Sequence, residues 1–265
     1  MRWKLAANLS LLFAQLPLIE RVGAAAKAGF DGVELQFPYA LPAIQLRAEL
    51  ERHAMPLVLF NLPAGDLMTG GAGLPGVPGR ETEFANALQW AMEYAQILRP
   101  EKVNVLPGKL AAGVEREAAL ATLATNLKIA AEAFAHLGIG VVYEAINRLD
   151  MPDFLLAGSA ELAEMLAQVD HPNLSAQLDF YHMARMDEDL THSVQRLSGR
   201  IGHVQFADCP GRGAPGSGEM DFAAALMALE KAGYEGWLAA EYRAEADDDL
   251  AWMADWREAG WVGER

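Results

Sequence analysis

A chain of 265 residues, 52% of them hydrophobic, can fill one large core, and α/β barrels commonly occupy about 250 residues as a single domain. A formal net charge of −15 with no basic patch argues against nucleic-acid binding, and no apolar run approaches the roughly 20 residues that span a bilayer. One cysteine, Cys209, excludes an intrachain disulfide framework and fits a reducing compartment, so a soluble cytoplasmic protein is expected.

The opening stretch carries a basic residue followed by apolar ones, but Asn8, Ser10 and Gln15 interrupt it and no small-residue cleavage site follows. It reads as a first strand, Leu5 to Ser10, and its loop. Further strands are expected at Gly32 to Phe37, Leu57 to Leu62, Lys102 to Leu106, Gly140 to Ile146, Leu174 to Phe180, Ile201 to Ala207 and Trp237 to Tyr242. Helical periods fill the gaps. LIERVGAAAKAG ends on Gly29 as a C-cap, and EREAALATLATNLKIAAEAFAHLG stops at Gly138. Each strand-helix step takes about 25 to 45 residues, the spacing of parallel βαβ units. Eight such units predict a single (β/α)8 TIM barrel over 1–265. A dinucleotide-binding sheet would need a glycine fingerprint after the first strand, and residues 8 to 20 contain no glycine.

Two loops stand out. The glycine-rich stretch between Gly65 and Gly79 lacks the lysine-serine ending of a phosphate cradle and reads as a mobile rim loop over the site, or as a plain connection. The loop from Cys209 to Asp221 carries Arg212 among flexible neighbours. The acidic run Glu245 to Asp249 reads as a solvated surface helix, and Trp252 and Trp256 as packing residues.

Oxygen donors recur at the carboxyl ends of the later strands: Glu144, Asp179, Gln205 and Glu241. A barrel gathers such positions at one rim. A charge inside an apolar strand must be paired or metal-bound, because an isolated buried carboxylate is very costly. A structural ion pair would explain any one of them; the repetition favours a shared site. Oxygen-only ligands suit Mg²⁺ or Mn²⁺ better than Zn²⁺ or copper. His182, just beyond Asp179, could hold a substrate oxygen, and His203 shares a strand face with Gln205 and could support it. Lys109 and Arg212 are the expected rim cations, and Asn61 could bind substrate or hold its loop.

The tracts ANLS (7 to 10), GVELQFPY (32 to 39), FNLPAGD (60 to 66), PGRETEF (78 to 84), EAIN (144 to 147), DFYHMARM (179 to 186), HVQFAD (203 to 208), PGSGE (215 to 219) and EY (241 to 242) resemble the hydroxypyruvate isomerase family, one of the xylose isomerase-like TIM barrels. The resemblance runs in order over nearly the whole chain. It implies that Glu144 and Glu241 form the acid and base pair, and that Glu144, Asp179, Gln205 and Glu241 ligate the divalent metal. It further implies that His182 and Arg212 contact substrate and that Asp150 is the matching acidic group. Related sugar 3-epimerases usually carry histidine where Gln205 stands. Ala145 departs from a usual proline, and Cys209 and Ala214 from polar residues.

The activity implied is isomerisation of hydroxypyruvate to tartronate semialdehyde, a small hydroxy-oxo acid substrate, by metal-assisted proton transfer through an enediolate. The order of acid and base stays open, as does homo-oligomerisation. Alternatives are a 2-oxo-tetronate isomerase, a ketose 3-epimerase, a binding protein on an inactive barrel, or a metal-dependent nuclease. The last would need a histidine-rich zinc site and a basic surface, against six scattered histidines here.

Overall fold

The computed structural model describes residues 2–244 and 250–263, so the acidic run Glu245 to Asp249 lies outside the described residues. Eight parallel strands close in sequence order, with β1 (Lys4–Asn8) pairing β8 (Trp237–Ala240). Between them run β2 (Gly32–Leu35), β3 (Leu57–Asn61), β4 (Lys102–Asn104), β5 (Gly140–Glu144), β6 (Leu174–Asp179) and β7 (Ile201–Phe206). This is a TIM barrel. Each strand stops one or two residues before its expected end, and the chain stays buried as it leaves the sheet: Ala145, Ile146 and Tyr242 are buried beyond their ladders.

The helices between strands form the outer layer: α1 (Arg21–Ala28), α2 (Ala43–Arg52), α3 (Glu81–Leu98), α4 (Arg116–Ala135), α5 (Ser159–Val169), α6 (Phe180–Arg185), α7 (Leu190–Arg196), α8 (Phe222–Lys231) and α9 (Trp252–Glu258). Helix α1 ends where Gly29 takes φ +92°, a left-handed conformation open to glycine at little cost. Helix α4 buries Ala119, Leu123, Leu127, Ala130, Ala131 and Phe134, so one stripe at steps of three and four faces the barrel. Leu123 is fully buried, and truncating such a leucine to alanine costs roughly 2–5 kcal/mol. Among the described residues, no helix is long and apolar enough to cross a membrane.

Inside the barrel the two ends differ. Ala6, Val58, Leu59, Val142, Trp237 and Ala239 form an apolar floor. A Cβ on Gly32 would lie 2.9 Å from the Trp237 indole, so glycine is what lets that ring lie against β2. Above the floor the inward residues turn polar. A separate apolar cluster of Ala64, Leu67, Leu106, Ile146 and Phe154 forms the lip. The glycine-rich loop after β3 reaches that lip and is tied to itself: Asp66 Oδ1 lies 2.9 Å from both Arg80 Nη1 and Gly73 N.

Candidate active site

Strand register sets polar residues side by side at the mouth: Asn8 beside Glu34, Asn61 beside Asn104, Glu144 beside Gln177, and Asp179 beside Gln205. Of these, Asn61, Glu144, Gln177 and Gln205 reach a cavity of about 200 Å³, which is also lined by Gln36, Phe37, Met68, Leu106, Ile146, Asp150, Met151, His182, Arg212, Glu241 and Arg243. That is smaller than the roughly 300–1,000 Å³ typical of drug-sized ligands.

Glu144 Oε2 accepts from Asn104 Nδ2 at 3.0 Å and from Gln177 Nε2 at 2.9 Å. Burial, then the charges of Glu241 and Asp179, push its carboxyl well above the usual range. Glu241 follows β8 directly. Its Oε1 accepts from Asn8 Nδ2 and Gln36 Nε2, both at 2.9 Å, and its Oε2 from Arg212 Nη2 at 2.8 Å. Burial raises Glu241 to about 7; Arg212 opposes that rise and Asp179 adds to it. Two buried carboxyls, both raised above the usual range and facing one cavity, can exchange a proton with a substrate carbon.

Asp179 caps α6, its Oδ1 accepting from Tyr181 N at 2.8 Å. Its Oδ2 is buried and accepts no hydrogen bond among the described residues. Such an orphaned carboxylate oxygen calls for a cation. Atoms of Glu144, Asp179 and His182 lie within 4.8 Å of one another, a spacing one metal ion can span, and Glu144, His182, Gln205 and Glu241 line the cavity. The residues fit a hard divalent ion. Arg212 approaches from the other side, its Nη2 3.8 Å from Asp179 Oδ2 and its Cζ 5.0 Å from the Tyr181 ring centroid.

Because α6 starts on Asp179 itself, His182 falls one turn on, with Nε2 3.5 Å from Asp179 Oδ2 and 3.7 Å from Glu144 Oε1. Its tautomer follows from its neighbours. Asn147 Oδ1 accepts from Asp150 N at 2.8 Å and Asn147 Nδ2 donates to Asp150 Oδ2 at 3.0 Å, so the Nδ2 lying 2.7 Å from His182 Nδ1 also donates. The ring proton therefore sits on Nε2. Burial lowers the histidine to about 4, so it stays neutral and offers one N–H toward the site.

Asp150 does not reach the carboxylates. It accepts from Asn147 and from Tyr181 Oη at 2.7 Å, and these bonds hold it below the usual range although burial alone would raise it. Asn61 lines the cavity beside Asn104, whose Nδ2 lies 3.2 Å from Asn61 Oδ1. His203 lies behind Gln205: its Nε2 is 2.6 Å from Glu34 Oε2, and Glu34 Oε1 accepts from Gln205 Nε2 at 2.6 Å.

Of the two expected rim cations, only Arg212 lines the cavity. The chain turns at Gly108, φ +88°, where a Cβ would collide with Ala72 O, and Lys109 then joins a backbone bridge to Phe154 outside it. Arg243, two residues past Glu241, takes that place. Sequence reasoning also passes over Glu34, Asn8, Gln36, Asn104 and Gln177. Glu34 carried a readable signal, a lone charge in an apolar strand; the amides carried none.

A barrel with buried carboxyls at its mouth is the class that this fold and site define. The family model described as xylose isomerase-like TIM barrel matches residues 22–259. Hydroxypyruvate isomerase of Escherichia coli (strain K12) is 38% identical over 256 residues, covering 96% of this chain and 99% of that protein. The 2-oxo-tetronate isomerase of Pectobacterium atrosepticum is 37% identical, covering 96% and 98%. A crystal structure titled AP endonuclease, family 2 from Brucella melitensis superposes with a TM-score of 0.91 at 37% identity, covering 96% and 99%. The chain belongs to the xylose isomerase-like TIM-barrel family, and like the hydroxypyruvate isomerase and the 2-oxo-tetronate isomerase it is an isomerase.

Proposed function

We propose that the protein interconverts hydroxypyruvate and tartronate semialdehyde, with Glu144 and Glu241 as the proton-transfer pair and Glu144, Asp179, Gln205 and Glu241 as holders of Mg²⁺ or Mn²⁺. The observation that carries the reading is the pair of buried glutamates, both raised in pKa, facing one small cavity beside the bare Asp179 oxygen. When bound, the divalent ion supplies positive charge beside the substrate's neighbouring carbonyl and hydroxyl oxygens. One glutamate takes a proton from C3, the C–H electrons form the C2–C3 double bond, and negative charge moves onto the C2 oxygen. The C3 hydroxyl proton passes to the C2 oxygen and the C2 carbon takes a proton from a glutamate, which leaves an aldehyde at C3 and a hydroxyl at C2. The neutral His182 N–H donates to the oxygen that gains charge. Phe37, Met68, Leu106, Ile146 and Met151 keep water from the carbons. Arg243 at the rim pairs with the substrate carboxylate through two parallel hydrogen bonds.

The cavity volume favours a three- or four-carbon acid, which keeps 2-oxo-tetronate as the nearest alternative and leaves a ketose 3-epimerase less favoured. A nuclease reading is disfavoured by the oxygen-rich site and the net charge of −15. The test is NMR of small 2-oxo and 3-oxo hydroxy acids with the protein and Mg²⁺ in D₂O. Hydroxypyruvate should turn over fastest, with solvent deuterium appearing at the transferred position. Turnover of a neutral ketose alone would defeat the reading.

A further inference from the structure

A side-chain amide offers a cation either oxygen or nitrogen, and only the oxygen attracts it, so Gln205 can serve a metal in one orientation alone. That orientation can be traced from the backbone. Ser10 N–H donates to Asn8 Oδ1 at 3.0 Å, which leaves Asn8 Nδ2 to donate to Glu34 Oε1 at 2.8 Å and to Glu241 Oε1 at 2.9 Å. Glu34 Oε1 is thereby an acceptor. Gln205 meets it at 2.6 Å, and only the Nε2 end can make that contact. Gln205 Oε1 then faces the other way, where Gln177 Nε2 donates to it at 2.6 Å and to Glu144 Oε2 at 2.9 Å. His203 Nε2 holds the far oxygen of Glu34 at 2.6 Å. A continuous belt of side chains thus joins Glu241 to Glu144 through Asn8, Glu34, Gln205 and Gln177. Glu34 is fully buried and does not line the cavity, so it acts only through its neighbours.

We infer that Glu34 is a positioning residue that sets the polarity of this belt and thereby makes Gln205 an oxygen donor toward the cavity. The inference rests on the proposed metal site. A carboxylate at position 34 can anchor both Asn8 and Gln205 by their N–H groups, whereas an apolar residue of the same length anchors neither and leaves the Gln205 amide held by Gln177 alone. At position 205 a carboxylate needs no such control, since both of its ends are oxygen.

Two measurements test this. The first is Mn²⁺ titration of chelator-stripped protein, followed by electron paramagnetic resonance, with thermal unfolding of the metal-free protein alongside. Glu34→Met should lose at least ~10-fold in Mn²⁺ affinity, the scale on which partners of metal ligands act. Adding Gln205→Glu to Glu34→Met should return the affinity while the metal-free unfolding temperature stays low; a packing role for Glu34 predicts no such split. The second needs no variant: neutron diffraction of the deuterated, Mg²⁺-loaded protein should place the two Gln205 Nε2 deuterons away from the cavity, one of them toward Glu34. Wild-type protein that binds no Mn²⁺ would defeat the metal reading itself. Wild-type binding with unchanged affinity in Glu34→Met, a double variant no better than the single one, or deuterons pointing into the cavity would overturn the polarity inference alone. If Glu34→Met fails to fold, the neutron map decides.

Discussion

The two halves of the barrel supply different things to one site. Strands β5 to β8 deliver the groups proposed to act, Glu144, Asp179, Gln205 and Glu241, while β1 to β4 and their ends deliver Asn8, Glu34, Gln36 and Asn104, which together with Gln177 and Arg212 hold Glu144, Gln205 and Glu241 by hydrogen bonds. A buried carboxylate survives where donors converge on it, so each acting group in the second half needs a holder. The lesson is that a buried acidic centre is built from its supports as much as from its acids.

The strongest way to break this division of labour is to remove the proposed proton carriers. Glu144→Gln and Glu241→Gln should each lower kcat by ~10²- to 10⁴-fold with the fold intact by circular dichroism. Near-normal turnover in either would move the chemistry elsewhere. Next, Asp179→Ala should lower Mn²⁺ affinity by more than ~100-fold, and chelation should silence the wild type. Full activity in protein shown metal-free by elemental analysis would remove the cation from the site.

The pH dependence sharpens the comparison from the stability side. Glu241 is raised from the usual 4.5 to about 7, so the metal-free native state holds a proton that the unfolded chain has already lost. Between those values stability falls as pH rises, by up to about 3 kcal/mol. His182, lowered from 6.5 to about 4, works in the opposite sense: it costs stability as pH falls below 6.5. Urea unfolding of the metal-free wild type and Glu241→Gln from pH 5 to 8 separates them. The wild type should lose ground against the variant as pH rises, and parallel curves would contradict the raised value. The smallest effect concerns the rim. Arg243→Met should raise KM for hydroxypyruvate by ~10-fold and leave a neutral tetrulose unchanged, while Lys109→Met should alter neither.

The same division decides what could be read from the chain. Strand and helix periods exposed the barrel, and carboxylates stranded in apolar runs exposed the second-half donors. Asn8 and Gln177 are ordinary in composition and gain meaning only when register lays them beside a carboxylate, and Asn104 only when its amide reaches Glu144 from the neighbouring strand, which no single strand reveals. Arg243 and Lys109 show the limit for loops: both follow strand ends, and a left-handed turn at Gly108 decides which one faces the cavity. Helix α6 was hidden because DFYH continues an apolar strand, yet Asp179 starts a helix there.

Asp179 answers to two demands at once. One oxygen starts α6, a cap worth about 1 kcal/mol, and the other faces the site bare. Alanine there forfeits both, asparagine keeps a cap and forfeits the charge, and glutamate keeps the charge but is not among the preferred capping residues. A position bound by two independent requirements tolerates fewer replacements than one bound by either, so under random mutagenesis with selection for activity Asp179 should be among the last positions to drift.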